Sequence, residues 1–121
     1  MRKKSKVVLV LTAAVILAAG IWFMLRPGRR FDPSLWSNPA TPASARLRMA
    51  DDLVDNKKLI GLTRLEVVAR LGQPPETEYF KDFDLVYYLG PERDFISIDS
   101  EWLVLKLGPD GRVTRATIAR D

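Results

Sequence analysis

The sequence contains no cysteine and no histidine in 121 residues. Without cysteine there is no disulfide, no thiolate nucleophile and no thiolate metal site, and no redox clue to the compartment. Without histidine the commonest general base and metal ligand is missing. Carboxylates and hydroxyls remain. Asp82, Asp84, Asp94, Asp99 and Glu101 are the candidate acids, yet a glycosidase-like pair needs two of them across a cleft with unequal pKa values. Ser97 and Ser100 have no histidine to activate them, and a Ser–Lys pair cannot be built from spacing alone. Asp110, inside Gly108-Pro109-Asp110-Gly111, is turn chemistry. No catalytic residue, metal ligand or cofactor motif emerges, so neither an enzyme nor a small-molecule substrate is expected.

A basic folded surface is lacking too. The net charge is +4, but residues 1–41 carry seven Lys/Arg against Asp32, and residues 42–121 carry twelve against fourteen acids. The basicity belongs to the N-terminal segment and the rest is mildly acidic. Nucleic acid is therefore not an expected partner, because neutralising phosphates needs a basic face on the folded part.

What is present first is a long apolar run. Residues 1–6 form a basic tail with Arg2, Lys3, Lys4 and Lys6, and Val7 to Leu25 is uninterrupted by charge. Nineteen helical residues reach about 28 Å, the hydrocarbon thickness of a bilayer. A cleaved signal peptide with Ala18-Ala19-Gly20 as its small-residue site is the competing reading. The run is longer than a usual signal core and continues through Ile21, Trp22, Phe23, Met24 and Leu25. Ile21 stands where a lipoprotein would carry its acylated cysteine. The expectation is a transmembrane signal anchor at 7–25, with the lipid bilayer as a partner of that segment and Trp22 at the interface. The basic residues flanking it are nearly balanced, and a short tail kept inside is the ordinary arrangement. The chain then reads as a single-pass inner-membrane protein with its C-terminal domain in the periplasm.

Residues 26–42 hold four prolines and few periodic apolar positions, and read as a semi-extended linker in which Phe31, Leu35 and Trp36 are the apolar content. The domain is expected at 43–121. A first helix runs from about Ala43 to Lys57 with Thr41 as cap and Pro42 at the first position. Ala43, Leu47, Ala50, Leu53 and Val54 form its buried stripe, and Asp51, Asp52 and Asp55 face solvent. Leu59 to Pro75 holds a second helix with both ends written in. Thr63 and Glu66 make a capping box, Gly72 suits the left-handed stop, and Pro74-Pro75 forbids continuation. Leu65, Val67, Val68, Ala69 and Leu71 cover so much of its circumference that neighbours should wrap it.

After Pro75 the period changes to two. Phe83–Leu89 reads as a strand ending at Gly90-Pro91, with Glu76–Lys81 as a possible extension. Glu101–Leu107 is the clearest strand, with Leu103, Leu105 and Leu107 on one side and Trp102, Val104 and Lys106 on the other. Arg112–Arg120 returns antiparallel after the 108–111 turn. The expected fold is α+β: two helices on one face of a small three-stranded antiparallel sheet, α-α-β-β-β, preceded by the transmembrane helix.

The run Leu59-Ile60-Gly61-Leu62-Thr63, Glu66-Val67 and Leu71-Gly72-Gln73-Pro74-Pro75 resembles the outer-membrane assembly factor BamE (SmpA/OmlA) family. Tyr87-Tyr88-Leu89-Gly90, Trp102-Leu103-Val104-Leu105 and Asp110-Gly111-Arg112-Val113 follow in the family's order. The resemblance covers about Arg46 to Ile118. It implies a small envelope domain that binds other proteins and catalyses nothing, in a layout similar to β-lactamase-inhibitor-protein-like domains. Members of that family are lipoproteins, whereas this chain carries an apolar anchor.

Two functions follow as expectations: an envelope domain that captures another protein, or an anchored domain that spaces or senses the cell wall. For the first, Trp102, Val104, Tyr88 and Arg115 are the candidate partner-binding residues; Trp102 and Val104 lie on the sheet face away from the helices, and one of Tyr87 and Tyr88, which point to opposite faces, joins them, the register leaving open which. Two placements of Trp102 remain open at this point. It anchors a partner on that face, or it packs under the 91–100 loop.

Overall fold

Thr63 and Glu66 form the capping box. Thr63 Oγ1 accepts from the Glu66 N–H at 3.3 Å and Glu66 Oε1 accepts from the Thr63 N–H at 3.2 Å. The helix they start runs over Arg64–Leu71, and Gly72 closes it at φ 86°, a left-handed position that costs glycine little. A computed structural model describes residues 10–18, 30–93 and 98–121 of the chain. Within 30–121 it places α1 (Pro33–Ser37), α2 (Ala43–Asp55) and α3 (Arg64–Leu71), then β1 (Leu85–Pro91), β2 (Ser100–Leu107) and β3 (Val113–Arg120). The strands make one antiparallel sheet in the order β1-β2-β3. The fold is α+β with a three-stranded antiparallel sheet.

β2 is central and buries both faces. Leu103 and Leu105 join Leu85, Tyr87 and Leu89 of β1 beneath the helices, with Leu47, Met49, Ala50 and Leu53 of α2 and Val67 and Leu71 of α3. Tyr87 also donates its hydroxyl to Gly72 O at 2.8 Å, and burial pushes its phenol up to about 12. Gly90 lies inside β1 rather than ending it. A side-chain carbon there would stand 2.8 Å from Ala43 Cβ, so glycine lets the first turn of α2 rest on the strand.

Several expectations are corrected. The proline-rich stretch joins the fold from Phe31 onward. Asp32 caps α1, accepting from the Ser34 and Leu35 N–H groups, and Trp36 is buried with its indole Nε1 donating to Leu71 O at 3.0 Å. Phe31 stacks edge-on against Trp36 with centroids 5.8 Å apart. Two aromatics in a short proline-rich segment carry enough apolar area to dock it, and linker composition hid them. Thr41 does not cap α2. Its hydroxyl donates to Leu35 O, Pro42 takes the cap position, and the helix stops at Asp55. Asp52 does not face solvent: it is buried and accepts from the Phe31 N–H (2.7 Å), Asn56 Nδ2 (2.6 Å) and Lys58 Nζ (2.6 Å). α3 is not wrapped, because Leu65 is 82% exposed and only Val67 and Leu71 are buried.

Residues 10–18 are helical with their apolar side chains exposed, and among the described residues no helix is long and apolar enough to cross a membrane. The remainder of the 7–25 segment lies outside the described residues.

Trp36→Ala is expected to cost about 3–5 kcal/mol in chemical unfolding, since it empties a core site and orphans Leu71 O; a linker residue would cost nothing. Burial pushes the Asp52 carboxyl up, but hydrogen bonds from Lys58, the Phe31 N–H and Asn56 outweigh it and hold the group below 3.8. Its stabilisation is thus complete above pH 3.8 and lost as pH falls through the lower folded value. The stability gap between wild type and Asp52→Asn should narrow below pH 3.8 in urea titrations at stepped pH. A gap that widens with acid contradicts this.

Candidate binding face

The sheet face away from the helices is not open. Residues 77–84 double back over it instead of extending β1. The Tyr79 N–H donates to Thr77 Oγ1, the Phe83 N–H donates to Phe80 O, and the Leu107 N–H donates to Asp84 Oδ2 at 2.7 Å. Lys106 Nζ donates to Asp82 O and pins the same segment from β2. Phe80 sits at φ 55°, a region that bulky residues rarely adopt, and its ring lies 6.1 Å from that of Trp102. Packing in this second cluster holds the backbone there.

Trp102 is 8% exposed, inside a cluster with Val86 and Val104 that Phe80, Phe83 and Ala119 border. Its Nε1 donates to Asp121 Oδ2 at 3.0 Å, and the Ser100 N–H donates to Asp121 Oδ1 at 3.0 Å. These bonds, the Ser100 N–H first and the Trp102 indole next, hold the Asp121 carboxyl below the usual carboxylate range. Trp102 is thus covered by the 77–84 segment, and residues 94–97 of the 91–100 loop lie outside the described residues. Val104 is fully buried, so neither residue is an exposed anchor, which corrects that expectation. Tyr88 is 45% exposed and meets the Trp102 ring edge-on at 5.1 Å. Tyr79 is 54% exposed, with its ring 5.3 Å from Trp102 on that same cluster. Arg115 is exposed, and its guanidinium stands 5.8 Å from the centre of the Phe83 ring.

The structure therefore brings Tyr88 and Trp102 together and sets Arg115 beside Phe83. It adds Tyr79 and Phe80, which sequence reasoning read as a possible strand extension, and Phe83, which it placed at the start of the strand that in the structure begins at Leu85. The signal was there: three aromatics in five positions, with Asp82 and Asp84 supplying turn character.

Of the candidate acids, Asp82 and Asp84 belong to the covering segment and Glu101 to β2. Asp84 is a backbone acceptor and Asp82 is exposed. Glu101 is 2% exposed and accepts from Arg93 Nε at 2.8 Å and Arg120 at 3.4 Å. Arg93 also forks onto Asp51 of α2, which raises its pKa above the ordinary value, against desolvation and with help from Glu101. This network ties α2 to β2 and β3. Asp94 and Ser97 lie outside the described residues. Among the described residues no three His, Cys, Asp or Glu side chains gather to hold a metal ion. Set against known proteins, the chain matches no family model, no curated protein and no solved structure.

Trp102→Ala is expected to lower stability by about 3 kcal/mol, whereas Tyr79→Ala and Tyr88→Ala each cost less than about 1 kcal/mol in the same unfolding assay. Equal losses at all three would make the two tyrosines core residues and remove them as surface contacts.

Proposed function

We propose that this chain is a membrane-anchored envelope protein whose α+β domain captures another protein through the half-exposed tyrosines that flank Trp102. The carrying observation is that Tyr79 and Tyr88 both rest on a ring fixed from below and by Asp121. Such a surface presents large apolar area with little conformational entropy left to lose, the property that makes aromatic residues dominate interfaces. Arg115, on the same face, supplies a cationic rim. In this reading the domain binds, performs no reaction of its own, and is a BamE-like module working from an inner-membrane anchor at 7–25 with its C-terminal part in the periplasm. The resemblance of the 59–75 motif and the later strands supports that assignment. The apolar side chains of residues 10–18 support the anchor, since they stand largely exposed.

A photo-crosslinker at position 88 in intact cells should trap one discrete envelope protein, and a crosslinker at exposed position 65 should not. Tyr79→Ala with Tyr88→Ala should reduce capture at least tenfold with the melting temperature unchanged. Undiminished capture by that double variant would refute the aromatic contact. For the anchor, alkaline phosphatase fused after Asp121 should be active in cells and a GFP fusion dark; the reverse pattern puts the domain in the cytoplasm.

A further inference from the structure

β3 ends the sheet, and two hydrogen bonds fix which of its backbone groups point away from it. The Asp121 N–H donates to Ser100 O, so residue 121 turns inward toward β2. The Asp84 N–H donates to Leu105 O, so Leu105 turns toward β1 and away from its β3 neighbour Ala116. Alternation along an antiparallel strand then turns the N–H and C=O of Ala116 and Ile118 outward. Among the described residues no other strand or loop hydrogen-bonds that edge at these two positions. The edge is closed only at its start, where the Gly61 N–H donates to Val113 O and the Val113 N–H donates to Leu62 O. β1 manages its edge with a bulge between Tyr88 and Gly90 and with Pro91. β3 has no proline, and its irregularity falls before Arg115. An edge left in this state is a template for another strand.

We propose that β3 pairs antiparallel with β3 of a second copy of this chain, centred on Ile118, giving a six-stranded sheet. A two-fold axis perpendicular to the sheet keeps each face on its own side, so opposed residues must share a face. Of the registers that satisfy this, those centred on Ala116, Thr117 and Ile118 differ in what they oppose. Centring on Ala116 sets Arg112 against Arg120 of the second copy, a like-charge contact. Centring on Thr117 drives residue 121 of the second copy against Val113, where Leu62 already sits. Centring on Ile118 avoids both: Ile118 exchanges N–H···O=C bonds with its own copy, and Arg115 faces Asp121 of the second copy. The Ile118 side chain, half-buried against the helix-side core, then meets its counterpart and extends that core.

The arrangement also suits a tethered protein, a point that rests on the anchor proposed above; the strand pairing does not. Phe31 and Trp36 belong to the helix-side cluster, so both chains enter from the same side of the joined sheet. The tethers, residues 26–30, reach at most roughly 18 Å each, and both can meet one bilayer with the Trp102 faces directed away from it. Confinement to a membrane raises the local concentration of the second copy.

The chain has no native cysteine, so a single engineered one is unambiguous. Full-length Ile118→Cys, treated in detergent and in membranes with a short bis-maleimide, should cross-link to the mass of a dimer. Leu65→Cys, exposed on α3, should do so at least tenfold less. Ala116→Pro removes an outward N–H without touching a bond to β2, and should leave a folded monomer by circular dichroism and light scattering. Arg115→Glu, which sets like charges against Asp121 of the second copy, should weaken cross-linking on an unaltered fold. Equal cross-linking at 118 and 65, or dimers unaffected by both variants, overturns the proposal. Cross-linking at 118 to a different protein also overturns it, since the edge then serves another partner. A dimer in detergent beside a Tyr88 probe that traps nothing sinks the aromatic-face reading alone.

Discussion

Everything in the domain depends on burying β2 from both sides. Five consecutive residues, Glu101 to Leu105, are removed from solvent. A strand of that kind in a three-stranded sheet cannot leave one face to water, so two covers are required. The helices supply one through α2 and α3. The 77–84 segment supplies the other, held by Lys106, Asp84 and a strained Phe80. Glu101 is tolerated in this run because Arg93 and Arg120 meet it, and Arg93 reaches onward to Asp51. The two arginines are partly exposed, so the desolvation cost falls mainly on the single carboxylate.

The legible parts of the fold were those with local causes. The capping box at Thr63 and Glu66, the glycine stop at Gly72, the alternation along 101–107 and the Pro-Asp-Gly turn each depend on neighbours within four residues, and each formed. What sequence did not reveal was decided by distant partners. Asp52 looked like one of a solvated acidic set until the Phe31 N–H, from 21 residues earlier, was placed on it. Trp36 sat in proline-rich surroundings and found Leu71 O, 35 residues later. Trp102 had two placements that periodicity could not separate, because alternation names a face and not what covers it. Of the proposed contact residues, Tyr88 and Arg115 are exposed and Trp102 and Val104 lie beneath them. The face was legible; its depth was not.

Burial of Trp102 strengthens rather than removes the case for this face as a contact surface. An indole free on a sheet would lose rotamer freedom on binding, whereas this one is already held by Asp121 and by rings on three sides. The exposed tyrosines inherit that order, since each has the same fixed ring as its floor. Preorganisation of this kind reduces the entropic cost of association without adding contact area.

The early entry of the chain into the fold bears on the membrane side of the argument. A flexible linker through Pro42 would let the domain range over many orientations. With Phe31 tied to Asp52 and Trp36 under α3, the length left between an anchor ending at Leu25 and the first fixed residue is five residues. On the anchored reading, that short tether keeps the helix side near the bilayer and leaves the aromatic side as the one a second envelope protein can approach.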